Sequence, residues 1–244
     1  MILPVLNVCA KDEQLALSNL KVCRKLDGNQ DADLLIVHPT GFDVSKVADL
    51  AKGAFARIQV ECYPEWRGDQ AWPKPQNWAW QRVARLVAKE FSESKYYSGW
   101  LWWEADAVPC RKGWLKALSN QFAMPPRAPF GGVACEINGD QYMNGVGIYP
   151  MDVIPPLANC SSLYALNVPF DMAAGVDVMR AFKSMEPLMQ HTRKDQGGGT
   201  GRVFTEIPAN AAFVHGCTDG SLQAIILETK VSAEKVTVHQ SKGK

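Results

Sequence analysis

Apolar runs of strand length and segments of helical period alternate through the first 104 residues, which restricts the chain to a sheet joined by crossover helices. Residues 3–9 form the first such run. Asp12 then stands at a helix N-cap position, and Ala16, Leu20 and Cys23 recur at i, i+4 and i+7. Residues 33–38 predict a second strand, Pro39, Thr40 and Gly41 a turn, residues 44–52 a short helix and residues 57–62 a third strand. Strand-helix-strand repeats build parallel pairs with right-handed crossovers, so this part predicts a Rossmann-like half. A loop rich in Gly and Pro, residues 64–75, leads into a helix over residues 76–91, with Trp80, Val83, Val87 and Phe91 at helical spacing.

The later half is less regular. Residues 113–122, 175–189 and 221–228 predict helices, and residues 130–137, 145–149, 203–207 and 211–214 predict strands. Residues 190–202 contain Gly197, Gly198 and Gly199 between Arg193, Lys194 and Arg202, a composition that predicts a mobile loop able to close over a ligand. The length of 244 residues and the 47% hydrophobic content suit one domain with a filled core. Lys and Arg (26) nearly cancel Asp and Glu (25), which excludes the global basic field of many nucleic-acid binders. The 7 cysteines are odd in number and widely spaced, so they predict reduced thiols. No leader pattern and no run of membrane-spanning length appears, which predicts a cytoplasmic protein with no membrane partner.

The segment Trp100-Leu101-Trp102-Trp103-Glu104-Ala105-Asp106 carries the chemistry. Alternate side chains of an extended segment share a face, so Glu104 and Asp106 project together from a strand end. Two such anions repel and raise each other's pKa unless a cation lies between them. A hard divalent ion with oxygen ligands answers that repulsion, and it implies a ligand bearing phosphate.

The order of elements, Pro75-Gln76-Asn77 opening the central helix, the acid pair after a strand and Phe213-Val214-His215-Gly216 late in the chain resemble the GT-A glycosyltransferases. The resemblance spans the whole chain. It implies an α/β fold with a mixed central sheet flanked by helices, in one domain over residues 1–244. Residues 1–106 would form the nucleotide-sugar half and residues 107–244 the acceptor half. In that family an acidic motif binds Mn²⁺ or Mg²⁺ through its last acid, and a late histidine completes the coordination. The resemblance thus implies Asp106 and His215 as metal ligands, Glu104 on metal or ribose, and a nucleotide-sugar donor, UDP-linked as first choice. The loop ending in Asn77 and the His215-Gly-Cys-Thr-Asp-Gly220 segment are also similar to small phage glycosyltransferases that decorate hydroxymethylated pyrimidines in DNA. That narrower resemblance implies a DNA acceptor and a host-cytoplasmic location. It also implies a cation near the histidine, which Arg193 or Arg202 would supply, since Thr218 stands in the neighbouring position.

Several roles remain to be assigned. Asp171 is the first choice of general base, because it lies in an apolar stretch just before a predicted helix, and Glu136 is the second. Asp171 as a simple helix cap is the competing reading. Ligands of open α/β sheets gather at strand carboxyl ends, so Cys9, Lys11, Asp12 and His38 are candidates for contact with the donor's base and ribose. Asn77 is a further donor-binding candidate that also caps its helix. Trp66 and Trp72 are candidates for stacking on a sugar or base, whereas Trp100, Trp102 and Trp103 read as core. A protein or glycan acceptor and a non-catalytic nucleotide- or DNA-binding module are the alternatives. A nucleotidyltransferase is disfavoured, for Cys9-Ala-Lys-Asp12 holds no glycine-rich phosphate loop.

Overall fold

The computed structural model describes residues 1–68, 70–137, 139–152, 168–192 and 203–229. Its first half runs β1 (Ile2–Asn7), α1 (Glu13–Asp27), β2 (Gln30–Pro39), α2 (Ser45–Ala51), β3 (Phe55–Tyr63), α3 (Lys74–Phe91) and β4 (Gly99–Glu104). The four strands are parallel, in the order β3-β2-β1-β4, as the alternation of strands and helices predicts. Both neighbours of β4 cover it, and its residues 99–103 are buried on both faces, which is why it reads as an unbroken apolar run.

The later half adds β5 (Val108–Pro109), α4 (Trp114–Ala123), β6 (Phe130–Gly132), β7 (Ala134–Ile137), β8 (Asp140–Met143), β9 (Ile148–Tyr149), β10 (Phe182–Ser184), β11 (Met189–His191) and β12 (Phe213–His215). β9 pairs antiparallel with β4 and with β6, and β10 joins β6 in parallel, so the main sheet is mixed, seven-stranded and ordered β10-β6-β9-β4-β1-β2-β3. A separate three-stranded sheet, β11-β12-β5, lies beyond the end of β4, and β7 and β8 form a hairpin.

Aromatic packing holds β4 from both sides. Trp100 meets Tyr149 with ring centroids 5.1 Å apart, and Trp80 stacks on Phe170 at 4.6 Å. On the opposite face Trp103 contacts Trp114, which stacks on Phe213 of β12 at 5.3 Å. Trp100, Trp102 and Trp103 are therefore core, as expected.

Four expectations need correction. The helix expected over residues 175–189 stops at Met179, because Phe182 to Ser184 join the sheet edge and Pro187 bars a helix from continuing. The strand expected over residues 130–137 divides at Val133, its second part turning away into the β7–β8 hairpin. Residues 203–207 form no strand. Asp12 occupies the N-cap of α1, yet its carboxylate accepts the Cys9 thiol at 3.1 Å instead of an α1 amide. Arg193, Arg202 and most of the expected loop lie outside the described residues. Its first residues, Gln190 and His191, belong to β11.

Candidate active site

β4 ends at Glu104, and a turn carries Asp106 back beside it. Three residues brace that turn. Asn19, buried in α1, donates its amide to the carbonyls of Ala105 (2.7 Å) and Ala107 (3.0 Å). The Trp103 indole donates to Ala107 O at 2.7 Å, and the Cys217 amide donates to Asp106 O at 2.8 Å.

The β5–β12 pairing delivers His215. Val108 faces Val214 and Pro109 faces Phe213 in antiparallel register, so the next residue along β12 arrives beside the turn. His215 Nε2 lies 3.3 Å from Asp106 Oδ1 and 3.5 Å from Glu104 Oε2. Ligand atoms of Glu104, Asp106 and His215 all fall within 4.8 Å of one another. Gly216 must follow: its φ is +92°, and a Cβ there would meet Thr192 Oγ1 at 2.4 Å.

Hydrogen bonds aim these groups. Glu104 Oε1 accepts from Trp102 Nε1 (2.9 Å) and Gln76 Nε2 (2.5 Å), which leaves Oε2 toward the imidazole. Asn144 Oδ1 already accepts the Val146 amide and lies 2.7 Å from His215 Nδ1, so Nδ1 must be the donor. That bond leaves Nε2 to face the two acids. Burial alone would lower the His215 pKa, but the carboxylates of Asp106 and Glu104 reverse this and push it up to about 10. The protonated imidazole thus bridges the acids in the ion-free protein. Two carboxylate oxygens and an imidazole nitrogen converging in this way could hold a divalent metal ion in place of that proton.

A cavity of about 660 Å³ opens on the three residues. Asp171 and Glu136 both line it. Asp171 does not act as a simple cap: its Oδ2 accepts the Gly145 amide at 2.9 Å and its Oδ1 the Met172 amide at 3.0 Å. Burial pushes its pKa up to about 6; the two amides oppose this, and the charge of Glu104 adds to it. Glu136 is exposed on β7.

Other candidates fall elsewhere. Cys9 and Asp12 sit together at the end of β1; burial raises the Asp12 pKa, and the charges of Asp106 and Glu104 add to the shift. Lys11 is exposed next to them. His38 lies apart, its ring against Phe42 and its Nδ1 3.0 Å from Pro39 O. Asn77 is a correction, since it is fully buried and its amide clamps Val168 O and the Phe170 amide, so it supports the 168–170 segment instead of reaching a ligand. Trp66 lines a second cavity of about 520 Å³ with Trp78, whereas Trp72 stands on the first. Sequence reasoning missed His191, whose ring stacks on His215 at 4.8 Å, and Asn144 and Gln76. No motif signals His191 or Asn144, and Gln76 stands in the Pro75-Gln76-Asn77 motif without a role read for it; the β11–β12 register places His191 and the start of α3 places Gln76.

No family model matches the sequence, and no curated protein does. Solved structures do. The galactosyltransferase LgtC, in complex with donor and acceptor sugar analogues, superposes with a TM-score of 0.57 at 9% identity, over 88% of this chain and 87% of its own. The apo form of mouse xyloside xylosyltransferase 1 gives 0.53 at 11% identity, over 88% and 96%. The chain has a GT-A fold. Identities this low establish the architecture alone.

Proposed function

We propose that this protein is a metal-dependent glycosyltransferase that moves a sugar from a nucleotide diphosphate, UDP-linked as first choice, to a hydroxyl acceptor. One observation carries the reading: in a chain with a GT-A fold, Glu104, Asp106 and His215 converge within 4.8 Å at the carboxyl end of β4. LgtC, which shares the fold, binds donor and acceptor sugar analogues, in keeping with this assignment.

Asp106 and His215 would hold Mn²⁺ or Mg²⁺, with Glu104 beside them on the ion or the ribose. The ion's contribution is Lewis-acid stabilisation of charge growing on the departing diphosphate. The donor's base and ribose would lie at the β1 end, against Cys9, Lys11 and Asp12. Gln76 and Trp102 orient Glu104, and Asn144 fixes the His215 tautomer, so the cluster does not reorganise when the donor arrives. Asp171, poised near pH 6 and lining the cavity, would take the acceptor proton in an inverting transfer, with Glu136 as second choice. Arg193 and Arg202 remain the candidate cations for the leaving group.

Calorimetry with UDP, with and without Mn²⁺, tests the reading. Expected is UDP binding that depends on Mn²⁺ and is abolished by Asp106→Ala, with the circular dichroism of that variant unchanged. UDP affinity indifferent to the ion would leave a binding module as the better account.

A further inference from the structure

β11 lies beside β12 in parallel register, with Met189 opposite Phe213, Gln190 opposite Val214 and His191 opposite His215. Neighbouring strands run about 4.8 Å apart, a separation within the range of stacked aromatic rings. The two imidazoles use it: their centroids are 4.8 Å apart and their planes 23° from parallel. The strand that carries His191 is itself held. Thr192 donates its amide to His215 O at 3.1 Å and its hydroxyl to Gly216 O at 3.3 Å, and the Gln190 side chain donates to the carbonyls of Pro187 and Ala209.

The bonds that aim His215 act on the edge of its ring. Nδ1 meets Asn144 Oδ1 at 2.7 Å, and Nε2 faces Asp106 at 3.3 Å and Glu104 at 3.5 Å. Edge contacts set the plane of the ring loosely, because the χ2 torsion of a histidine has a broad minimum and an N–H···O bond tolerates a bend of about 30°. A ligating nitrogen is less tolerant, for its lone pair lies in the ring plane and must point along the line to the ion. A second ring laid on the face of His215 restrains the tilt that the edge bonds permit. His191 lines the cavity that opens on Glu104, Asp106 and His215, yet the three converging ligand atoms come from those residues and not from His191. An aliphatic side chain of similar size would fill the space without offering a flat surface.

We propose that His191 is a positioning residue for the metal site: its ring, stacked on His215, fixes the plane in which Nε2 meets a divalent ion. The inference rests on the metal-dependent transferase reading and adds to it a residue from β11. His191 acts through His215 and contacts neither the ion nor the donor in this role. Another flat ring can therefore replace it, and an aliphatic side chain cannot.

Mn²⁺ titrated into the protein with UDP present, and followed by electron paramagnetic resonance of the free ion, measures affinity without any need for turnover. Expected is an affinity about tenfold lower in His191→Ala and His191→Leu than in wild type, and within about threefold of wild type in His191→Phe. The spectrum of the bound ion reports the arrangement of its ligands, so it should match wild type in His191→Phe and differ in the two aliphatic variants. Equal Mn²⁺ affinities in wild type, His191→Ala and His191→Leu would overturn the inference. A His191→Phe variant as weak as His191→Ala would do the same, since the ring face would then not be what holds His215. If one aliphatic variant fails to fold, the other carries the comparison; failure of both would make His191 a packing residue and end the proposal. The two readings stay distinguishable. Mn²⁺-dependent UDP binding that the His191 substitutions leave untouched removes only the role given to His191, whereas a wild-type protein that binds neither Mn²⁺ nor UDP removes the transferase reading itself.

Discussion

His215 and Asp171 face one cavity with pKa values raised for different reasons, and each shift has a measurable consequence. The imidazole is pushed up to about 10 by Asp106 and Glu104 against the opposing effect of burial. A histidine with a raised folded pKa contributes stability that is fully present below its ordinary value, near 6.5, and lost as pH rises through the folded value. Chelator-treated protein should therefore lose thermal stability between pH 7 and pH 10, and His215→Ala should flatten that decline. Equal slopes for the two proteins in a pH series of melting curves would contradict the ion pair. Asp171 differs, since burial holds its proton on up to about pH 6. A base must be ionised, so kcat/KM for sugar transfer should fall below about pH 6, and Asp171→Asn should lower it by about 10²–10⁴-fold. If Glu136→Gln removes the acidic limb and Asp171→Asn does not, the base is Glu136. Gly216 is ill suited to a side chain, for its φ is +92° and a Cβ there would lie 2.4 Å from Thr192 Oγ1. Gly216→Ala should cost about 1–3 kcal/mol in denaturant unfolding, and a variant as stable as wild type would contradict this geometry.

Elements differ in how openly the sequence announces them. From β1 to β4 each strand is long enough to show an apolar run, and α1 and α3 are long enough to show a helical period, so their order is legible from residues alone. Beyond β4 most strands hold two to four residues, too few for a period, and partners distant in sequence decide them. Phe182 to Ser184 look helical by composition but complete the sheet edge beside β6, where buried Lys183 donates to Gln121 O at 2.6 Å and to the Met124 carbonyl at the end of α4. A lysine in that position reads as a solvated helix face until the carbonyls it meets are known. The same limit hid Asn19. Its place on α1 suggests only a polar residue, yet it is fully buried, clamps two carbonyls of the acid-bearing turn and accepts from Gln223 of the helix Ser221–Glu228 at 3.2 Å. Asn19→Ala removes the clamp from Ala105 O and the acceptor of the Gln223 amide, while Ala107 O keeps the Trp103 indole, and it should cost about 2–3 kcal/mol, with weaker Mn²⁺-dependent UDP binding. Lost stability with UDP affinity intact would show that the turn holds its shape without the clamp.

At the scale of the whole molecule, the site exists because two sheets meet. Asp106 leaves the centre of the seven-stranded sheet and His215 arrives on β12 of the smaller one, with the short β5–β12 pairing setting their register. The acid pair was legible because it interrupts a buried strand, and the late histidine was legible only through resemblance. Their 3.3 Å approach depends on a pairing of two residues that no sequence period reveals. The cavity wall was less legible still, for it is assembled from α3, the β7–β8 hairpin and the Pro169–Met172 segment, which are adjacent only after folding. An ion held by residues from both sheets must tie them together, since a ligand that binds only the folded arrangement stabilises it by mass action. Hydrogen exchange followed by mass spectrometry should then show Mn²⁺ and UDP slowing exchange in peptides spanning residues 104–109 and 213–217 together. Asp106→Asn should abolish both effects at once, because the ion loses its acid anchor and the imidazole returns to its proton. Protection confined to the 104–109 peptide would mean that the acids bind the ion without the histidine, and the two sheets would then contribute separately to the site.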